Sequence, residues 1–147
     1  MNRLNLITLG VKDMKRSLAF YKGLGFKTPA ELDDSPDIVF FRNDGTKLAL
    51  YPLDALAVDI SLENPPKKSK GFSGMTIAYN CKEKDEVDRT LKLAEKLGGK
   101  IIKPAEQVFW GGYSGYFEDL DGYIFEVAYS DTFTFDKQNM LVFDEKN

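Results

Sequence analysis

The chain contains no histidine among its 147 residues. This absence excludes catalytic triads and dyads that use a histidine base, and it excludes zinc sites with histidine ligands. Cys81 is the only cysteine, so an internal disulfide and a cysteine-ligated zinc site are excluded as well. Any catalysis must therefore use Asp, Glu, Lys, Tyr, Ser, Thr or Cys81, and a metal would need oxygen ligands.

A strong charge of one sign and long apolar runs are also missing. Lys and Arg number 20 against 23 Asp and Glu, for a net charge of −3. This balance argues against binding to nucleic acids or to anionic membranes. The uncharged stretches are too short to cross a bilayer, and the N-terminus lacks the pattern of a signal peptide. Together with the lone cysteine, these features predict a cytoplasmic protein.

The apolar pattern of the first half predicts the element order β-α-β-β-β. A strand is predicted at 4–11, and Asp13 is placed to cap the helix that follows it. A second strand is expected to begin at Gly25. Strands at 37–41 and 47–51 are joined by an Asp-Gly turn, which is typical of a hairpin.

The second half repeats this order. Its predicted elements are a strand at 72–79, a helix with an apolar stripe at Val87, Leu91 and Ala94, a strand from Lys100, and strands at 113–117 and 123–129. Matching Leu-Gly and Asp-Gly pairs recur in the two halves at a nearly constant offset, which indicates an internal duplication. A single helix covers one face of each sheet, so the other face must pack against something or enclose a cavity.

These patterns predict one domain of two modules. Module 1 is expected at 1–53, a linker at 54–71, module 2 at 72–130 and a C-terminal arm at 131–147. The linker contains prolines and lysines and has little to bury. The arm is too apolar for a free end, so we expect it to pack on the domain or to cross to a partner subunit.

Two segments resemble the signatures of a known superfamily. Residues 5–21 read NLITLGVKDMKRSLAFY and residues 117–127 read FEDLDGYIFEV, with Leu120 in place of the usual proline. They are similar to the opening and closing motifs of the vicinal oxygen chelate superfamily, which includes glyoxalase I, bleomycin resistance proteins and extradiol dioxygenases. The resemblance covers residues 3–129. It implies an α+β fold in which tandem βαβββ modules form a pseudo-symmetric, barrel-like open sheet around a cavity, and it implies a homodimer.

Metal-dependent members of this superfamily carry four ligands, usually two His and two Glu. The resemblance places these four positions at or near Leu6, Ala49, Met75 and Glu126. Only Glu126 can ligate a metal, and one carboxylate does not hold a divalent ion against water. We therefore expect a protein with no metal and no other cofactor, whose partner is a small organic molecule bound in the cavity.

Glu126 is the first candidate functional residue, because it lies in a strand whose neighbouring residues are apolar. A carboxylate in such a strand is either a general base or polar anchor for a ligand, or it is hydrogen-bonded to a core tyrosine or water.

Further candidates for ligand binding are Trp110, Tyr113, Tyr51 and Arg42, together with the former ligand positions Leu6, Ala49 and Met75. Trp110 stands beside two glycines and either lines a pocket or forms a lid or dimer contact. Tyr113 and Tyr51, and Tyr116 with them, stack on a flat ligand or belong to the core. Arg42 binds a carboxylate if it shares the face of Phe40, and is otherwise a solvated residue at a strand end.

Three functions are compatible with these residues. The first is metal-free binding of a small ligand. The second is a lactoylglutathione-lyase-like or other isomerase or lyase activity with Glu126 as base. The third is sequestration of an antibiotic, as in bleomycin resistance proteins.

Overall fold

The computed structural model of the protein describes residues 1–32 and 36–143, so positions 144–147 of the predicted arm lie outside the described residues. The chain divides into two compact units, Met1–Gly74 and Met75–Asn147. Within the described ranges, no helix has both the length and the apolar character needed to span a membrane.

Unit 1 contains a mixed three-stranded sheet and two helices. Its elements are β1 (Leu6–Val11), α1 (Met14–Gly23), β2 (Val39–Phe40), β3 (Lys47–Pro52) and α2 (Leu53–Ile60). The strand order is β1-β3-β2, with β1 parallel and β2 antiparallel to β3.

The predicted cap begins helix α1, and an aromatic cluster fixes it to the sheet. The side chain of Asp13 accepts a hydrogen bond of 3.0 Å from the backbone N–H of Arg16. Tyr21 is fully buried, and its ring centroid lies 5.5 Å from that of Phe26 and 5.7 Å from that of Phe41. Aromatic rings at these separations contribute both buried area and favourable ring geometry.

One prediction for unit 1, the strand beginning at Gly25, was wrong, and a helix that the sequence analysis did not predict follows β3. No regular strand begins at Gly25; this segment contributes one strand-like hydrogen bond, from the Arg42 N–H to the Lys27 carbonyl at 2.7 Å. Pro29 follows closely and has no N–H to extend the pairing. The predicted linker also begins with helix α2. Leu53 of α2 packs closely against Gly10. If residue 10 had a Cβ atom, this atom would lie 2.7 Å from Cδ1 of Leu53.

Unit 2 has the predicted βαβββ order. Its elements are β4 (Ile77–Asn80), α3 (Lys84–Lys96), β5 (Lys100–Gln107), β6 (Tyr113–Glu118) and β7 (Ile124–Tyr129), and the strand order is β4-β7-β6-β5. The buried residues of α3 are Val87, Leu91 and Ala94, the stripe that the sequence predicts. Both units combine helices with a mixed sheet, so the α+β class is confirmed.

The sheet of unit 2 has two faces of different character. Helix α3 covers one face, where Phe117 and Phe125 pair across the strands with stacked rings 5.0 Å apart. Tyr116 and Glu126 form the next cross-strand pair and therefore point to the other side. We call this second side the helix-free face of unit 2.

Candidate functional site

The helix-free face of unit 2 carries a hydrogen-bonded acid–phenol pair. Tyr116 in β6 is the direct cross-strand partner of Glu126 in β7. The Tyr116 hydroxyl donates a hydrogen bond of 3.0 Å to Oε1 of Glu126, and both side chains are half-buried. Of the alternatives open for Glu126, the hydrogen bond to a tyrosine is therefore present.

The phenol of this pair is held in its protonated form. Burial raises the pKa of Tyr116, and its hydrogen bond to Glu126 and the charge of that carboxylate raise the pKa further. Tyr116 therefore acts as a donor toward Glu126. A carboxylate has about four lone-pair positions on its two oxygens, so Glu126 retains the capacity to accept an N–H or O–H from a ligand.

Small side chains flank the acid–phenol pair. Strand β7 lies between β6 and β4, and Glu126 is paired with Ala78 of β4 on the side away from β6. Along the strands, the next pair on the helix-free face is Ser114 with Ala128, both almost fully buried. On this side of the acid–phenol pair the neighbouring side chains are therefore short, whereas the pair on the other side, on the same face, is Glu118 with Ile124.

Trp110 lies in the loop between β5 and β6, and the two glycines after it have separate roles. The loop closes through hydrogen bonds from the Gly111 N–H to the Val108 carbonyl and from the Val108 N–H to the Gly112 carbonyl. Gly111 has a φ of +90°, which this loop type requires and glycine adopts without strain. At Gly112 the indole occupies the space of a side chain, since a Cβ there would lie 1.7 Å from Cζ3 of Trp110.

The Trp110 indole is placed at the end of the helix-free face. Gly112 alternates with Ser114 and Tyr116 along the chain, so its missing side chain would point to that face. Phe133 of the C-terminal arm stacks on the indole, with ring centroids 6.4 Å apart and planes inclined by 24°. Trp110 remains 43% exposed.

Tyr113 lies on the opposite face from Glu126. Its hydroxyl donates to Asp88 of α3 at 3.1 Å, and the Lys84 ammonium lies 4.5 Å from the centre of its ring. Burial and the hydrogen bond to Asp88 raise the pKa of Tyr113. The structure therefore places Tyr113 with helix α3 and does not join it to the acid–phenol pair.

Three predicted site residues share one face of the unit 1 sheet. The register pairs Leu6 with Lys47, Thr8 with Ala49 and Gly10 with Tyr51, so the side chains of Leu6, Ala49 and Tyr51 point to the same side. Ala49 is fully buried, whereas Leu6 is exposed.

The two remaining predicted residues lie outside the regular strands. Arg42 follows β2 and is exposed. Met75 is also exposed and precedes β4, which begins at Ile77.

Two contacts of the site were not predicted from the sequence: the hydrogen bond of Tyr116, a residue expected to stack on a flat ligand, with Glu126, and the stacking of Phe133 on Trp110. Tyr116 had a usable signal, because it and Glu126 are equally distant from Asp121 in the hairpin turn, and a turn fixes the register of its strands. Phe133 had none, since its contact with Trp110 joins two loops that are distant in sequence.

Comparison with known proteins identifies the family. The family model of the Glyoxalase/Bleomycin resistance protein/Dioxygenase superfamily matches residues 3–127. The chain belongs to this superfamily. No curated protein sequence matches it.

Solved structures of the superfamily share its fold. A glyoxalase-related enzyme from Fulvimarina pelagi is 28% identical, with a TM-score of 0.85 over 97% of this chain and 99% of that one. A glyoxalase/bleomycin resistance protein/dioxygenase family enzyme from Burkholderia phytofirmans PsJN is 17% identical, with a TM-score of 0.71 over 86% and 98% of the two chains. Lactoylglutathione lyase from Agrobacterium tumefaciens is 22% identical, with a TM-score of 0.62 over 88% and 94%.

The residues of this chain do not fit the divalent cation that metal-dependent members of the superfamily bind. Three of the four expected ligand positions are occupied by Leu6, Ala49 and Met75, of which two have no donor atom and the third only a soft thioether. Within residues 1–32 and 36–143, no group of three or more His, Cys, Asp or Glu side chains is arranged to hold a metal.

Cys81 is a buried structural residue next to this sheet. It is fully inaccessible, and its N–H donates to the Ala128 carbonyl at 2.7 Å. Burial, with a smaller effect of the Glu86 charge, raises the pKa of the thiol to about 12. Since the thiolate is the reactive form, the folded protein is protected from thiol reagents.

We expect the Cys81 thiol to react with Ellman's reagent at pH 8 only as fast as the protein unfolds. Above the ordinary thiol pKa of about 9, the unfolded state loses this proton and the folded state keeps it. The thiol's contribution to stability is therefore constant below pH 9 and declines as the pH rises from 9 toward 12. Rapid labelling of the native protein, at the rate of a free thiol, would contradict this prediction.

Proposed function

We propose that this chain binds a small organic ligand on the helix-free face of unit 2, with Glu126 as its polar anchor and without a resident metal. The observation that carries the proposal is the 3.0 Å hydrogen bond from the Tyr116 hydroxyl to Glu126. It presents a half-buried carboxylate, already oriented by one donor, to a ligand that supplies a second N–H or O–H.

The pair suits binding better than base catalysis. The Tyr116 hydroxyl occupies one acceptor position on Oε1 of Glu126 and holds the carboxylate in one orientation. Charge-assisted hydrogen bonds to an oriented carboxylate are strong and directional, and these are the properties of an anchor.

Proton transfer by Glu126 is the second candidate function. Tyr116 lies at the carboxylate and is protonated, so the pair holds an acid and a base at hydrogen-bonding distance. The F. pelagi structure is described as a glyoxalase-related enzyme, and the A. tumefaciens structure as lactoylglutathione lyase. Isomerisation of the hemithioacetal of methylglyoxal and glutathione, lost in Glu126→Gln with folding intact, would place this function first.

Native mass spectrometry of protein purified without chelator tests the absence of a metal. We expect a homodimer, as the superfamily resemblance implies, with no metal bound and with or without an additional organic mass. One metal ion per chain would contradict the metal-free proposal and return a metal-dependent activity to consideration.

The anchor itself is tested by substitution. A thermal-shift panel of neutral, anionic and cationic small molecules first identifies a ligand, and hits confined to cationic drugs would favour sequestration of antibiotics. Glu126→Gln should then weaken binding about tenfold or more, because the charged acceptor is lost. Tyr116→Phe should weaken it less, since only the orienting donor is removed.

The matched control is Glu95→Gln on the exposed side of helix α3, which changes the net charge equally. Equal affinity for the ligand in Glu126→Gln and Glu95→Gln would refute the anchor role.

A further inference from the structure

The C-terminal arm, residues 131–143, forms a hairpin by itself. The Asp136 N–H donates to the Met140 carbonyl and the Val142 N–H donates to the Thr134 carbonyl, each at 2.9 Å. Phe135 and Leu141 form the bridge between the two sides. These bonds lie within the arm, so the hairpin can move as a unit without losing them.

Side chains of the arm contact the rest of unit 2 at its base and along its length. At the base, the hydroxyl groups of Thr132 and Ser130 are hydrogen-bonded at 2.8 Å. Phe133 stacks on Trp110. The Lys82 ammonium donates to Oδ1 of Asn139 and lies 5.7 Å from the centre of the Phe135 ring. None of the side chains in 131–143 is buried. An element with so little buried area is expected to detach at low free-energy cost.

We propose that the arm is autoinhibitory: Phe133 occupies the stacking position on Trp110 that a planar aromatic ligand takes, so that the ligand and the arm compete. The indole lies against the Gly112 backbone, and the Phe133 ring lies nearly parallel to it in an offset position, with the ring centroids 6.4 Å apart. A second flat ring centred over the indole on that side would overlap Phe133, so the arm must move before such a ring can stack there. Phe133 is thus an internal substitute for the ring of the ligand.

The position of Trp110 defines the class of ligand, and this step rests on the proposed anchor function of Glu126. Gly112 and Tyr116 are four residues apart along the chain leading into β6, which corresponds to about 13 Å. A ligand that spans this length is elongated, with a planar ring system at one end and a hydrogen-bond donor at the other.

The experiment uses the full-length chain and follows the indole N–H resonance of Trp110, the only tryptophan. The probes are 2-naphthamide, which is planar, and decalin-2-carboxamide, its saturated counterpart. We expect Phe133→Ala and Lys82→Met each to bind 2-naphthamide about fivefold more tightly than the wild type, the effect of one aromatic contact. Phe143→Ala, an exposed aromatic residue of the same arm, is the control and should leave the affinity unchanged.

Two variants keep the test decisive. Lys82→Met loosens the arm without altering either ring of the stack, so it reports competition even if Phe133→Ala disturbs folding. Unchanged or weaker binding of 2-naphthamide in Lys82→Met overturns the proposal, as does equal binding of the saturated probe.

The test also separates this inference from the anchor function. 2-Methylnaphthalene has no donor for Glu126, so its affinity should rise in Lys82→Met whether or not Glu126 is an anchor. 2-Naphthamide is too short to reach Glu126 while it stacks on the indole, so the anchor is tested separately with the elongated ligand found in the thermal-shift panel. If the affinity for 2-methylnaphthalene rises in Lys82→Met and Glu126→Gln binds that elongated ligand normally, the anchor fails and the autoinhibitory arm stands. If the affinity for 2-methylnaphthalene does not rise, the arm inference fails, whatever Glu126→Gln shows.

Discussion

Replacing Gly115 with alanine is expected to destabilise unit 2 by roughly 3 kcal/mol, at the upper end of the usual cost of overpacking a core. Gly115 lies in β6 on the face that helix α3 covers. A Cβ there would lie 2.6 Å from Cδ1 of Leu91, 2.8 Å from the Lys103 carbonyl oxygen and 2.9 Å from the Ala105 nitrogen. Leu91 can rotate away, but the two backbone atoms belong to β5 at an irregularity in its pairing with β6, and a shift there would disturb the flanking pairs Lys103–Tyr116 and Glu106–Ser114.

Urea unfolding of Gly115→Ala, Leu91→Ala and the double variant measures this effect and its origin. We expect the double variant to be more stable than the sum of the single effects predicts, because removing the leucine side chain relieves one of the three overlaps. The rescue should be partial, since the overlaps with the β5 backbone remain. A loss below about 0.5 kcal/mol in Gly115→Ala, the range of ordinary surface substitutions, would show that β5 adapts freely.

Local pattern was sufficient to predict the element order of unit 2, although the strand predicted at 72–79 is found at Ile77–Asn80. The apolar stripe of α3 follows the helical period, and the Asp-Gly turn fixes the β6–β7 hairpin. At this turn the buried carboxylate of Asp119 accepts hydrogen bonds from the N–H groups of Asp121 and Tyr123. In unit 1 the same reasoning failed where tertiary contacts decide the outcome. Helix α2 forms from a short apolar segment that packs over Gly10. Nothing in the local sequence around Gly10 indicates that a helix packs against it.

The candidate site also contains residues that local pattern predicts and residues whose place depends on tertiary contacts. Glu126 was predicted from a motif, and Tyr116 follows from the register of one hairpin. Tyr113 was predicted as a ligand-binding residue, and the sequence alone did not show that it lies on the α3 face, because this depends on whether odd or even residues of β6 face the helix. The proposed role of Trp110 depends on the arm, whose docking on the β5–β6 loop is a long-range contact without a local signal.

The acid–phenol pair and the aromatic stack make separable contributions in the proposed mode of binding. Glu126 supplies a directional hydrogen bond, whereas Trp110 supplies apolar area and ring contact at the other end of the face. Removing the arm should therefore strengthen binding only if Trp110 itself stays in position. Gly112 is the residue that sets this position.

Gly112→Ala is expected to expel the indole from the helix-free face, since the new Cβ would lie 1.7 Å from Cζ3 and 2.0 Å from Cη2 of Trp110. No rotation of a methyl group relieves such an overlap, so Trp110 must leave and the stack with Phe133 is lost. Tryptophan emission should shift to longer wavelength and become more accessible to acrylamide, with a stability loss of about 1–2 kcal/mol.

The same variant should lose about tenfold or more of its affinity for 2-naphthamide, although its arm is released. This result is opposite in sign to that expected for Lys82→Met, which releases the arm but leaves the indole in place. Phe109→Ala is the matched control in the loop, because the Phe109 side chain is fully exposed. If Gly112→Ala kept both the emission and the affinity of the wild type, the indole would not depend on this glycine, and the stacking site would have to lie elsewhere.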